Sequence, residues 1–89
     1  MPTKHLLIRG KVQGVFYRAS AKNFAQDLKI TGWIKNTDDG YVEALVSGTE
    51  SQLENFIDWC KQGPPDAIVT HVHVEEITGQ LFEKFSIYK

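Results

Sequence analysis

The chain has 89 residues, 42% of them hydrophobic and 24% charged, which suits one small soluble globular domain spanning residues 1–89. Its formal net charge is −1, so no global field attracts nucleic acid or an anionic membrane, and any bound anion must be held by a local site. The longest aliphatic runs, such as Leu6-Leu7-Ile8, are too short for a membrane span, and the start "MPTKHLL" lacks the apolar stretch of a secretory signal. Cys60 is the only cysteine, which excludes an intrachain disulfide and a cysteine-based zinc cluster; a cytoplasmic location is expected.

Periodicity predicts the elements in chain order. Leu6 and Ile8 share one face of an extended segment, opposite Leu7, Arg9 and Lys11, giving a first strand from about Lys4 to Val12. Ala21, Phe24, Ala25 and Leu28 fall at i, i+3, i+4 and i+7, a helical stripe interrupted by Gly32. "GWIKNT" reads as a second strand, and "TDDG" supplies hairpin chemistry, since Asp-Gly suits turns that need positive φ. In the third strand, "YVEALVSG", Val42, Ala44 and Val46 point one way. Thr49 and Gln52 form a capping-box pattern that opens a second helix, whose stripe is Leu53, Phe56, Ile57 and Cys60. Gly63-Pro64-Pro65 ends it. "AIVTHVHVEE" is a fourth strand, Val72 and Val74 alternating with His71 and His73, and "EKFSIYK" offers a short last one.

The order βαββαβ plus a terminal strand predicts an α+β, ferredoxin-like split βαβ fold: an antiparallel sheet with both helices on one face. The first β-α-β crossover makes strands one and two parallel and leaves a slot between them for strand three. Their C-terminal ends then share one edge of the sheet. Gln13 follows the first of these ends and Asn36 sits at the second, so the topology makes them neighbours.

The segment "RGKVQGVFYR" joins the first strand to the first helix. Gly14 permits a backbone conformation closed to other residues, so that successive N–H groups converge on one point. The first amides of the helix are also unpaired, and its dipole favours an anion. Arg18 adds a planar fork suited to two phosphate oxygens at once. Taken alone, the pattern reads more simply as an ordinary turn followed by a solvated arginine, since such turns are common. It is neither a Walker A loop nor a dinucleotide fingerprint, because the required spacings are absent.

Two segments together change this reading. "GKVQGVFYR" and "GWIKNTDDGYVEA" resemble the two signature segments of the acylphosphatase family, and "QGPPDAIV" resembles its helix-to-strand connection. The family consists of small enzymes of about this length that hydrolyse the carboxyl-phosphate bond of acyl phosphates. The resemblance implies that Arg18 binds the phosphate and that Asn36 orients the attacking water. It also implies that the backbone amides of Gln13, Gly14, Val15, Phe16, Tyr17 and Arg18 cradle the phosphoryl oxygens. No cofactor and no metal are implied, and the expected partner is a small acyl phosphate bound by a monomer.

The chemistry suits so few parts. The leaving carboxylate is the conjugate base of a fairly strong acid, so the roughly 10²–10⁴-fold that proton donation usually supplies is dispensable. Positioning and charge stabilisation carry phosphoryl transfer. Other candidate residues have simpler roles. His71 and His73 share a strand face and lack a third metal ligand at a useful spacing. Glu75 and Glu76 point to opposite sides of a strand, Asp38 and Asp39 are turn formers, and Cys60 completes a core stripe. Trp33 and Trp59 read as packing residues, with Trp33 near enough to the site to shape it.

Two other classes of function are compatible with this fold. A nucleic-acid module would need aromatics flanked by basic residues on its third strand, where "GYVEALV" offers one Tyr, one Glu and no Lys or Arg. A non-catalytic phospho-anion-binding module would need the arginine and the amides, but has no use for Asn36.

Overall fold

The apolar alternations become five strands in the computed structural model, which describes residues 2–78 and 82–88. The elements are β1 (Thr3–Lys11), α1 (Tyr17–Asp27), β2 (Thr31–Asn36), β3 (Val42–Ser47), α2 (Glu50–Gln62), β4 (Ile68–Ile77) and β5 (Phe85–Tyr88). The sheet order is β4-β1-β3-β2-β5. As the crossover rule demands, β3 fills the slot between β1 and β2 and runs antiparallel to both, with Ala44 facing Leu6 on one side and Ile34 on the other.

The sheet is not purely antiparallel, which corrects the sequence expectation. β4 runs opposite to β1, and β5 pairs in parallel with β2, Gly32 facing Phe85 and Ile34 facing Ile87. The reason is directional. β1 and β2 run the same way, β4 runs against them, and the reversal that follows β4 leaves β5 aligned with β2.

One hydrophobic core explains why both helices lie on the same face. Leu6, Ile8, Ile34, Val42, Ala44 and Val46 bury the sheet's inner side against Ala21 and Ala25 of α1 and Leu53, Phe56 and Cys60 of α2. Trp59 packs beside them, its ring 5.3 Å from Tyr17 and 5.7 Å from Phe24 between centroids. β4 is an edge strand, so its inner side is only partly covered: Val69 and Val72 pack on the core while Val74 is exposed. The β1–β4 register shifts between Arg9 and Gly10. Gly10 has φ 128°, and a Cβ there would stand 2.0 Å from the Ile68 carbonyl oxygen; only glycine fits this approach.

The two helices begin differently. α2 has a complete capping box: Thr49 accepts from the Gln52 amide, and the Gln52 side chain accepts from the Thr49 amide. α1 has no side-chain cap and no acidic residue in its first turn. Its leading amides are left for something else.

Cys60 is fully buried, its carbonyl accepting 2.7 Å from the Tyr17 hydroxyl. Burial pushes the thiol up from its usual 9.0 to about 12, and burial, with the neighbouring Cys60, pushes the Tyr17 phenol up as well. The expected result is that native Cys60 resists alkylation by iodoacetamide and reacts only in denaturant. The linkage has a definite sign. Both groups ionise more readily in the unfolded chain, so their contribution is complete below pH 9 and is lost as pH rises beyond it. A urea midpoint that holds steady from pH 8 to pH 11, or rapid labelling in native buffer, would contradict this.

Candidate active site

The segment between β1 and α1 folds around two left-handed residues. Gly14 has φ 74° and Phe16 φ 64°. A Cβ at Gly14 would meet nothing within 4 Å, so glycine is needed there for its backbone conformation and not for space. Phe16 adopts the same region despite its bulk, an unusual state for an aromatic residue. The alternation turns Val15 into the core and leaves Gly14 and Phe16 outward. Among the described residues, no backbone carbonyl accepts from the amides of Gln13, Gly14, Val15 or Phe16. Tyr17 and Arg18 are the first two residues of α1, whose amides have no intrahelical partner.

Gln13 fastens this loop to the end of β2. Its side-chain amide donates to the Thr37 carbonyl at 2.8 Å and to the Tyr41 carbonyl at 2.9 Å. The turn it grips is itself closed by Thr37, whose amide donates to the Tyr41 carbonyl at 2.9 Å and whose hydroxyl accepts from the Tyr41 amide at 3.0 Å. The Thr37 hydroxyl also bonds Asp39. Asp38 and Asp39 are therefore turn residues, as expected.

Between loop and strand end lies a cleft of about 290 Å³, lined by Val12, Gly14, Phe16, Tyr17, Arg18, Ala19, Asn36 and Ile87. Its size suits a small metabolite. Of the residues singled out from sequence, Gly14, Phe16, Tyr17, Arg18 and Asn36 meet there; Gln13 and Val15 do not line it, Gln13 bracing the loop and Val15 anchoring it. Arg18 donates from Nη1 to the Tyr88 carbonyl at 2.8 Å, which holds the guanidinium at the cleft with its other donors unengaged by the described protein. Asn36 is half-buried, and its Oδ1 is buried with no hydrogen-bond partner among the described residues.

The remaining candidates lie elsewhere. Trp33 is on the sheet face away from the helices, its ring stacked on Tyr88 at 5.9 Å and covered by the Lys35 ammonium at 5.5 Å; it does not line the cleft. His71 and His73 are exposed on β4 with ring centroids 6.3 Å apart, and among the described residues no three His, Cys, Asp or Glu side chains cluster as metal ligands. No helix among them is long and apolar enough to cross a membrane. Two contributors escaped the sequence reading. Ile87 lines the cleft and Tyr88 holds Arg18, yet both come from β5, whose neighbour in the sheet no sequence signal identified.

The family model for acylphosphatase matches residues 4–87. The chain belongs to the acylphosphatase family. It is 43% identical to the acylphosphatase of Haloquadratum walsbyi, over 93% of this chain and 89% of that protein. It is 42% identical to that of Methylococcus capsulatus, over 100% of this chain and 98% of the relative. The crystal structure of acylphosphatase from Bacillus subtilis superposes with a TM-score of 0.96 at 37% identity, over 100% of both chains. An acylphosphatase is a hydrolase, and membership places this chain among enzymes.

Proposed function

We propose that this acylphosphatase-family enzyme hydrolyses small acyl phosphates at the cleft between the β1–α1 loop and the end of β2. The observation that carries the reading is the pairing, in one cleft, of the Arg18 fork with an Asn36 acceptor that nothing in the described protein satisfies. A buried acceptor in that state costs about 1–3 kcal/mol. The terminal torsion of asparagine is broad, so a modest rotation presents Oδ1 to a water seated in the cleft.

The steps follow from the groups. The amides of the cleft-lining loop residues Gly14, Phe16, Tyr17 and Arg18 and the Arg18 guanidinium bind the phosphoryl oxygens, the uncapped start of α1 adding its positive end. Asn36 Oδ1 accepts a hydrogen bond from the water and holds the water oxygen in line with phosphorus. As the water oxygen bonds to phosphorus, the bond from phosphorus to the acyl oxygen breaks and its electron pair leaves on the carboxylate. The water's proton passes to a phosphoryl oxygen, giving inorganic phosphate. No side chain has to serve as acid or base, and the charge on the loose transition state is met by donors already in place.

The test is phosphate release from acetyl phosphate and from p-nitrophenyl phosphate and glycerol phosphate, each with and without EDTA. Acyl phosphate turnover is expected to persist in chelator, because Arg18 and the amides supply the charge stabilisation. Alkyl monoesters should be slower by at least about 10²-fold, since an alkoxide leaving group needs the proton donor that is not provided here. Comparable kcat/KM on acetyl and glycerol phosphate would show that a general acid operates in the cleft. Loss of activity in EDTA, restored by a divalent metal, would show that the phosphoryl charge is met in another way.

A further inference from the structure

Among the described residues, Phe16 is the most exposed large hydrophobic, at 79%, and it keeps a left-handed backbone that its bulk disfavours. The left-handed backbone helps turn Val15 into the core, but the exposed ring itself buries nothing there. Together, conformation and exposure place an aromatic ring at the cleft that holds Arg18 and Asn36. Ile87, 38% exposed, lines the same cleft from β5. Val12 and Tyr17 are buried in the core, so the apolar surface open to a ligand there comes from Phe16, Ile87 and the small Ala19. The phosphoryl group needs none of it, because its contacts are N–H donors.

We infer that Phe16 and Ile87 form a subsite for the carbon portion of the acyl group, and that the enzyme selects acyl phosphates with an aromatic ring or a chain of several carbons. The inference rests on the proposed reading of the cleft. With the phosphoryl group on the loop, the acyl substituent must leave the polar end of the same small cleft. The methyl of acetyl phosphate is too short to cover either side chain, whereas a phenyl or pentyl group removes apolar surface on both partners from water. Two exposed apolar residues on different elements, one on the loop and one on a strand, would thus be covered only in the complex.

The experiment compares kcat/KM for acetyl, butanoyl, hexanoyl and benzoyl phosphate, and Ki for methyl-, butyl- and phenylphosphonate. The native enzyme is expected to favour hexanoyl over acetyl phosphate by about tenfold, the scale of discrimination in an apolar pocket, with Ki falling as the substituent grows. Phe16→Asn removes the ring while keeping a residue that tolerates the left-handed region; it should reduce the hexanoyl-to-acetyl ratio at least about threefold, within the range small apolar differences command. Phe16→Leu should retain most of the ratio, and Ile87→Ser should lower it independently of the loop. The ratio, not the absolute rate, is the readout, so a general disturbance of the loop does not imitate the effect. Acetyl phosphate turnover with no chain-length preference, or variants that leave the ratio unchanged, would overturn the subsite while the reading of the cleft stood. No turnover of any acyl phosphate would overturn both.

Discussion

Arg18→Ala should lower kcat/KM for acetyl phosphate on the order of 10³-fold, in the range seen when an arginine that meets phosphoryl-transfer charge is removed. The same variant should bind inorganic phosphate more weakly, by roughly tenfold or more, because a charge-assisted hydrogen bond is worth about 1.5–3 kcal/mol. Both quantities fall together since a guanidinium contacts the bound phosphoryl group before and during transfer. Stability should hardly change: the bond Arg18 gives to the Tyr88 carbonyl is exposed, and water replaces it. Arg18→Lys keeps the charge and loses the fork, so it should recover part of the phosphate affinity and less of the rate. Calorimetry with phosphate beside steady-state kinetics makes the comparison. A folded Arg18→Ala protein with native phosphate affinity would mean that the loop amides bind the anion unaided.

How far this site was legible in the sequence depends on what each residue needed. The βαβ crossover brings the end of β1, which Gln13 and Gly14 follow, and the end of β2, where Asn36 sits, to one sheet edge; the roles of Arg18 and Asn36 rest on the family resemblance of the two segments. The uncapped start of α1 was legible too. Phe16 occupies the position where α2 has Thr49, and a phenylalanine has no oxygen with which to cap. What failed was the outer edge. β5 has four residues, too few for a periodicity that reveals direction or neighbour, so its parallel pairing with β2 was not foreseen. The roles of Ile87 and Tyr88 were hidden for the same reason. Gln13 was read for its amide alone, because the reach of its side chain to two carbonyls across the turn exists only once the turn is folded. Trp33, expected near enough to the site to shape it, does not line the cleft: strand alternation sends it to the opposite face from Ile34, where it stacks on Tyr88.

Asn36→Ala should leave phosphate affinity within about twofold of native and lower kcat on the order of 10²-fold or more, the cost of removing one preorganised polar group from an active site. The division follows from what the amide touches. Its oxygen is assigned to the water, so it contributes to the transition state and little to the bound anion. Stability should move in the direction opposite to that of an ordinary polar deletion. Asn36 Oδ1 is buried without a partner in the described protein, so truncation removes an unsatisfied acceptor and leaves none behind, and the melting temperature should hold or rise. Asn36→Asp separates charge from shape. It is nearly isosteric, but a carboxylate beside the phosphoryl group repels it, and phosphate affinity should fall along with the rate. Kinetics, phosphate calorimetry and thermal melts on the two variants decide the matter. A stable Asn36→Ala enzyme with near-native kcat would remove the water-positioning role, and an Asn36→Ala protein that melts well below native would make Asn36 a structural residue instead.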